Sequence, residues 1–249
     1  MKAFYKNAKT QKSSLITVKG YQKTIAKIRF SLDLNYEDTI LDLGCGAGNL
    51  VTPLLSYCKK LVGIDISRDT LIEAKKGMKD TSFIVADAEN LPLRDESFTK
   101  VFAFEVLEHL PDPKKALVEI RRILTKAGFV VMLQQYRLDD YQKRWHRFLY
   151  KIRVVTEPRS NLETQHINQL KPQEWIKLLK GEGFKTMRVV PTSVLPPIPF
   201  YYGFSVILPS IGKHYFGLPF LRSIDDFLCK RQAIVRRFAL ANIYISSVK

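Results

Sequence analysis

Apolar residues recur from residue 39 onward in short uninterrupted runs, separated by stretches in which they recur every three or four positions. The first pattern predicts β-strands and the second predicts amphipathic helices. The predicted strands lie near residues 39–43, 61–65, 82–86, 100–104 and 129–135, and the predicted helices near residues 48–57, 69–78 and 113–125. Because the strands are apolar throughout and do not alternate, we expect a parallel sheet covered by helices on both faces, in an α/β, doubly wound fold.

The chain before this region is basic. Residues 1–19 are rich in lysine, and residues 20–32 predict a helix whose apolar residues fall on one face. The sequence thus predicts two parts, a basic N-terminal segment and helix of residues 1–37 and a single domain of residues 38–249.

Two segments interrupt this domain after its fifth predicted strand. The first, residues 137–170, is amphipathic, with aromatic and aliphatic side chains on one helical face and basic side chains on the remainder. The second, residues 193–237, separates a predicted sixth strand near 187–191 from a predicted seventh near 239–246. Its apolar stretch is interrupted by prolines, which break helices, so we expect no membrane-spanning helix there. The two segments are predicted to form a substrate cap.

The net charge is unevenly distributed along the chain. Of the total of +16, residues 1–32 carry +8, residues 33–135 carry −3 and residues 136–249 carry +11. The basic flanks indicate an anionic partner, such as a membrane surface, a nucleic acid or a phosphorylated substrate; the alternative is a basic surface that serves only solubility. The three cysteines are too scattered for a disulfide framework, and the N-terminus lacks the apolar run of a signal peptide, so we expect a cytoplasmic protein.

A glycine-rich turn follows the first predicted strand. It contains Asp42, Gly44, Gly46 and Gly48 in the pattern D-x-G-x-G-x-G, and an apolar helix is predicted to follow. Glycines allow a tight bend and a close approach of a ligand to the main chain. The dinucleotide pattern G-x-G-x-x-G needs a glycine three positions after the second, which this chain lacks, and the Gly-Lys-Ser/Thr of a P-loop is absent as well. The turn therefore predicts another nucleotide-containing ligand.

Acidic residues follow the next predicted strands. Asp65 ends the second strand, at the position from which an acid typically binds ribose hydroxyls, and Asp87 follows the third. Glu105 and His109 follow the fourth strand. Because ligands in such sheets bind at the carboxyl ends of the strands, these side chains are expected to meet around one site.

The pattern D-x-G-x-G-x-G resembles motif I of class I S-adenosylmethionine-dependent methyltransferases. Residues 38–136 as a whole resemble the methyltransferase type 11 group, which includes quinone-biosynthesis C-methyltransferases; Thr99 and Ala127 depart from the usual pattern. The resemblance implies a Rossmann-like methyltransferase fold with seven strands and S-adenosylmethionine as methyl donor, without a metal. It implies that Asp42 orients the ammonium end of the donor and that Asp87 lies at the adenine amino group. The implied cofactor-binding residues are Asp42, Gly44, Cys45, Gly46, Gly48, Asp65, Ile66, Asp87, Ala88 and Glu105.

Methyl transfer from a sulfonium is an in-line displacement that requires alignment and exclusion of water more than activation. A base is needed only when the acceptor must lose a proton, and His109 is the candidate because it follows the fourth strand and a histidine side chain can titrate near neutral pH. The alternative is that His109 only packs within its own turn. The candidates for contact with the acceptor are Gln134, Tyr136 and His166.

Three functions are compatible with these features. The first is a methyltransferase acting on a small, apolar or lipid-linked molecule, cytoplasmic or peripheral to the inner face of an anionic membrane. The second is an RNA methyltransferase whose basic flanks bind the nucleic acid; no RNA-binding module accompanies them, so we favour the first. The third is a protein that binds S-adenosylmethionine without turnover.

Overall fold

The structure is a computed structural model that describes residues 25–26, 34–79, 81–135, 167–168, 170–193 and 241–248. The chain divides into two compact units, one of residues 1–134, 170–189 and 243–249 and the other of residues 135–169 and 190–242. Most of the predicted helix at 20–32, the amphipathic segment 137–170 and the apolar segment 193–237 lies outside the described residues. The predicted domain boundary and the predicted cap therefore stay predictions.

Seven strands form one sheet in the order β3-β2-β1-β4-β5-β7-β6. Their bounds are Thr39–Leu43 (β1), Lys60–Asp65 (β2), Ser82–Val85 (β3), Phe98–Phe104 (β4), Leu124–Gln135 (β5), Phe184–Ser193 (β6) and Ala241–Val248 (β7). The pairs β1–β2, β1–β4, β2–β3 and β4–β5 are all parallel. The predicted α/β fold with a mostly parallel, seven-stranded sheet is confirmed.

Within the described residues, four α-helices lie between the strands, and side-chain caps explain where two of them begin. Their bounds are Val51–Leu54 (α1), Arg68–Gly77 (α2), Pro113–Ile123 (α3) and Pro172–Gly181 (α4). Asp112 is the N-cap of α3, since its side chain accepts a hydrogen bond from Lys114 N at 3.1 Å and Pro113 occupies the first turn of the helix. Ser67 caps α2 in the same way through Thr70 N.

One buried layer joins the sheet to its helices. The side chains of β1, β4 and β5 that share a face with Leu43 pack against the apolar side of α3 and against α4. The members of this layer include Leu41, Leu43, Val101, Ala103, Val130, Met132, Ala116, Leu117, Ile120, Ile123, Trp175, Leu179 and Phe184. Burial of each large aliphatic side chain contributes about 1.5–3 kcal/mol, so this layer holds the strand ends at fixed positions.

Several element boundaries differ by two to five residues from those predicted, and two of the differences have a clear structural cause. The helix expected near 48–57 begins only at Val51, because the turn before it contains glycines with positive φ, and it gives way to a 3-10 turn at Leu55. Strand β5 was expected at 129 but begins at Leu124. Leu124 pairs with Phe98 and Phe129 pairs with Lys100, so the register between β4 and β5 shifts across the bulge or irregularity between these pairs, which sequence periodicity does not reveal.

The amino ends of β1 and β4 are joined by a buried polar cluster. Asp38 Oδ1 accepts hydrogen bonds from Thr99 Oγ1 at 2.6 Å and from Lys100 Nζ at 3.1 Å. Thr99, which departs from the usual family pattern, therefore has a local structural partner at the edge of the sheet opposite to the carboxyl ends. Within the residues that the structure describes, no helix is long and apolar enough to cross a membrane.

Candidate functional site

A cleft of about 230 Å³ opens at the carboxyl ends of β1, β2, β3 and β4. Its walls come from the ends of these strands and from the turns that follow them. The lining residues are Leu43, Gly44, Ile64, Asp65, Ile66, Ala86, Asp87, Ala88, Glu105, Val106, His109, Leu110 and Pro111. The cleft is therefore mainly apolar, with carboxylates at the ends of three strands, which is typical of a site for a small organic ligand.

The glycine turn is fixed to the neighbouring strand. Gly44 N and Cys45 N both donate to Ile64 O, at 2.7 and 2.9 Å. Gly44 and Gly48 have φ of +70° and +80°, and a Cβ at either position would overlap a neighbouring side chain, that of Val106 or Met78. The turn can therefore approach the β4 loop and a ligand only because side chains are absent there.

Asp65 at the end of β2 faces the cleft with its carboxylate already oriented. Gly46 N donates to Oδ2 at 2.9 Å and Ser67 N donates to Oδ1 at 2.8 Å. Burial raises the pKa of Asp65, and the backbone N–H groups partly oppose this shift. Each carboxylate oxygen has a second lone pair that stays available to a hydroxyl group of a ligand.

Asp42 lies beneath the glycine turn and does not line the cleft. Its side chain is buried, and among the described residues no donor reaches Oδ2. Burial, and then the nearby charge of Asp65, raise the pKa of Asp42 well above its ordinary value. A cationic group bound beside these two acidic side chains would favour the ionised form of Asp42 and oppose this shift of its pKa.

A tight turn beyond the end of β3 carries Asp87. Glu89 N donates to Asp87 Oδ1 at 3.0 Å, and Asn90 N donates to Asp87 O at 3.0 Å. Asp87 and Ala88 both line the cleft. The carboxylate is thus held by its own turn.

Glu105 adopts a backbone conformation that is unusual for a residue with a side chain. Its φ is +57°, while its N–H donates to Leu133 O at 3.0 Å. Such conformations cost about 1–3 kcal/mol and cluster at binding sites. The 3-10 turn Leu107–His109 follows, and it places His109 in the wall of the cleft.

The structure brings together seven of the residues predicted from the sequence: Gly44, Asp65, Ile66, Asp87, Ala88, Glu105 and His109. Cys45, Gly46 and Gly48 shape the turn without lining the cleft, and burial raises the pKa of the Cys45 thiol, which makes it unreactive. Gln134 is buried at the end of β5 and also does not line the cleft. Tyr136 and His166 lie outside the described residues.

Sequence reasoning missed six lining residues: Leu43, Ile64, Ala86, Val106, Leu110 and Pro111. Each is apolar and lies within two positions of a residue that the motifs identify. The available signal was their position at or beyond the ends of the strands, since the carboxyl edge of a parallel sheet is where ligands bind. In the described part of the chain, no group of three or more His, Cys, Asp or Glu side chains could hold a metal ion.

These features fit the methyl donor that the resemblance implies. The turn lacks Cβ atoms where the main chain would meet a ligand, and Asp65 can accept hydroxyl groups. Asp42 Oδ2, which no donor among the described residues reaches, suits a ligand that carries a positive charge.

Comparisons with known proteins agree with this assignment. A family model described as "Methyltransferase domain" matches residues 41–132. Demethylmenaquinone methyltransferase of Thermotoga maritima is 30% identical over 173 residues, which cover 64% of this chain and 74% of that protein. A mitochondrial ubiquinone biosynthesis O-methyltransferase of Candida albicans is 28% identical over 72% of this chain, and the alignment spans 57% of that protein.

Solved structures share the fold. The crystal structure of the YcgJ protein of Bacillus subtilis superposes with a TM-score of 0.58 at 18% identity, covering 91% of this chain and 98% of that chain. At this identity the likeness concerns the arrangement of strands and helices alone.

Proposed function

The chain belongs to the class I S-adenosylmethionine-dependent methyltransferases of the type 11 group, and we propose that its acceptor is a small, apolar or lipid-linked molecule. The observation that carries the proposal is the cleft, where carboxylates at three strand ends stand among apolar side chains. One relative is named for demethylmenaquinone and another for ubiquinone biosynthesis. Those names support an acceptor of related chemistry here.

On the donor side, three acidic side chains have distinct proposed roles. Asp65 accepts the ribose hydroxyls, because its carboxylate faces the cleft and is already held by two N–H groups. Asp87 accepts from the adenine amino group beyond the end of β3. Asp42 stabilises the positive end of the donor from beneath the turn, directly or through water.

The donor supplies an activated methyl group on a sulfonium. The remaining task of the protein is to align the acceptor and exclude water. Apolar side chains of the cleft, such as Val106 and Leu110, serve the exclusion of water. His109 stands in the same wall and takes the acceptor's proton where the acceptor must lose one.

The donor site is tested by calorimetric titration with S-adenosylhomocysteine. Asp65→Ala should raise the dissociation constant about ten- to a hundredfold, because hydrogen bonds to a charged group contribute roughly 1.5–3 kcal/mol. Asp69→Asn, an exposed acid four residues away on α2, is the matched control and should bind as the wild type does. Unchanged affinity in Asp65→Ala would show that the assignment of the ribose acid is wrong.

The acceptor is tested with S-adenosylmethionine labelled on its methyl group and an extract of host cells. After the reaction, the extract is partitioned between organic and aqueous phases, and the aqueous phase is treated with ribonuclease. Label in the organic phase supports an apolar or lipid-linked acceptor. Label that ribonuclease releases would support the RNA alternative that the basic flanks leave open.

We also propose that the protein associates peripherally with anionic membranes. The support is the distribution of charge along the sequence. Residues 1–32 carry +8 and residues 136–249 carry +11, while residues 33–135 carry −3, and the basic residues of the flanks accompany aromatic ones. In liposome flotation, anionic vesicles should retain the protein and neutral vesicles should not. Absence of binding to either kind of vesicle contradicts this part of the proposal.

A further inference from the structure

One wall of the cleft has almost no regular secondary structure of its own. Residues 86–97 connect β3 to β4, and the bridge between Asp87 and Asn90 is the one sheet-like pairing described within them. Ala86, Asp87 and Ala88 of this segment nevertheless line the cleft. Contacts from outside the segment must therefore fix the position of this wall.

The ends of the segment are held by backbone hydrogen bonds, from Ala86 N to Asp65 O at 3.1 Å and from Ser97 N to Ile123 O at 2.8 Å. Its middle is held by two charged side chains one turn apart on α3. Arg122 Nη2 donates to Leu91 O at 3.0 Å, and Glu119 Oε2 accepts from Leu91 N at 2.8 Å. Both backbone groups of Leu91 are thus bound to one pair of side chains. Arg122 Nη1 also donates to Leu93 O at 2.7 Å, which fixes the following residues.

The pair is itself rigid. Arg122 Nε donates to Glu119 Oε1 at 2.9 Å and Arg122 Nη2 donates to Glu119 Oε2 at 2.7 Å, in a bidentate arrangement. Arg122 Nη1 makes a further ion pair with Asp95 at 2.6 Å. A guanidinium can make these bonds at once because its donors form a planar fork, and an ammonium cannot.

The first residues of α3 adjoin another part of the cleft wall. Asp112, the N-cap of α3, directly follows Leu110 and Pro111, which line the cleft. Asp112 N donates to Glu89 Oε1 at 3.1 Å, so the start of the helix is also bound to the turn that carries Asp87. Helix α3 therefore contacts both parts of the wall, one through its first residues and one through its last turn.

We propose that Arg122 is a positioning residue for the methyl-donor cleft: with Glu119 it fixes Leu91, and through the turn Asp87–Asn90 it sets where Asp87 stands relative to the other part of the wall. Arg122 itself does not line the cleft. The inference rests on the proposed function, since it assigns the adenine end of the donor to Asp87.

The test uses Arg122→Lys, which keeps the charge and removes the fork. The matched control is Arg121→Lys on the same helix, because Arg121 Nη1 donates instead to Glu182 O at 3.2 Å, away from the cleft. Glu119→Gln is a second variant, since it weakens the same pair from the other side. Thermal unfolding of each variant verifies that it is folded at the temperature of the titrations.

Two ligands separate positioning from general destabilisation. S-Adenosylhomocysteine and S-inosylhomocysteine differ at the exocyclic group that Asp87 is proposed to bind, and calorimetry gives the ratio of their dissociation constants. The wild type and Arg121→Lys should prefer the adenosyl ligand. Arg122→Lys and Glu119→Gln should bind the adenosyl ligand about tenfold more weakly, which corresponds to a loss of about 1.4 kcal/mol of binding free energy. The same two variants should lose most of the preference for the adenosyl ligand. Hydrogen exchange at the Leu91 amide should accelerate in the same two variants.

The outcomes are distinguishable. If the wild type prefers the adenosyl ligand and Arg122→Lys keeps both that preference and the wild-type affinity, Arg122 does not position the wall. If Arg121→Lys loses the preference equally, the effect belongs to α3 in general and the proposal fails. If the wild type binds neither ligand, the proposed donor site itself is wrong, and the positioning role falls with it.

Discussion

Asp42 shows how a functional requirement conflicts with stability at a single residue. Its carboxyl is buried beneath the glycine turn, close enough to Asp65 for the two charges to repel, and its Oδ2 has no donor within the described part of the chain. A buried polar atom without a partner destabilises a fold unless a ligand supplies one. The residue therefore fits a protein whose stability is completed by binding of a cationic ligand.

Substitution Asp42→Asn should stabilise the free protein and weaken donor binding. The pKa of Asp42 is raised in the folded state, so the native state holds its proton more tightly than the unfolded chain. Its ionisation therefore destabilises the folded wild type as the pH rises above the pKa of the unfolded state, about 3.9, and through the raised pKa of the folded state. Urea unfolding should show the variant more stable by about 1 kcal/mol or more at pH 7, with no difference below about pH 3. A variant less stable at pH 7 would contradict this assignment.

The glycines of the turn should differ in their tolerance of a methyl group. Gly44→Ala combines a positive φ with overlap of the new Cβ and Val106, so it should cost about 3 kcal/mol of unfolding free energy. Gly46→Ala is the matched control, because the nearest neighbour of its added Cβ would be Thr70 Cγ2 at 3.9 Å. The positive φ alone should then lower the unfolding free energy by about 1 kcal/mol. Equal losses at the two positions in urea unfolding would show that the β4 loop moves aside for the methyl group.

At the level of elements, the central strands could be predicted because short continuous apolar runs are typical of the strands of a parallel sheet that is buried on both faces. The start of α1 could not, because periodicity ignores the positive φ of Gly44, Gly46 and Gly48. The early start of β5 could not either, since the register across the bulge depends on tertiary pairing with β4. The pleat explains a further difference: neighbouring residues of β1 point to opposite faces, so Leu43 lines the cleft and Asp42 lies beneath it.

Two ion pairs near the start of β1 differ in burial, so they test how much burial raises the contribution of an ion pair to stability. Lys100–Asp38 has side chains 9% and 4% exposed, while Lys59–Glu37 has side chains 64% and 79% exposed at 3.9 Å. Lys100→Met should cost about 3 kcal/mol, because it leaves the Asp38 carboxylate buried without its cation, and Lys59→Met should change stability by less than about 0.5 kcal/mol. Chemical denaturation of both variants checks this, and a similar effect at the two positions would argue against the burial of Asp38.

For the whole molecule, the position of the donor cleft within one compact unit has a thermodynamic consequence. All of the lining residues fall within residues 43–111, which belong to the unit that contains residues 1–134. The motifs could identify this region from the sequence because the parallel sheet brings the ends of its strands to one edge. The acceptor side could not be identified in the same way, since its candidates Tyr136 and His166 belong to segments outside any motif of the family.

A ligand that binds only the folded state stabilises the unit that contains its site by RT ln(1 + [L]/Kd), about 2.7 kcal/mol at a hundredfold excess over Kd. S-Adenosylhomocysteine at that excess should raise the midpoint of the larger unit's transition by several degrees in scanning calorimetry of the full chain. A transition of the other unit, residues 135–169 and 190–242, should keep its midpoint if it unfolds separately. Asp65→Ala is the control, because at the same ligand concentration its ten- to hundredfold weaker affinity should remove about half of the shift or more. A shift of equal size in that variant would mean that the ligand stabilises the chain at some place other than the cleft.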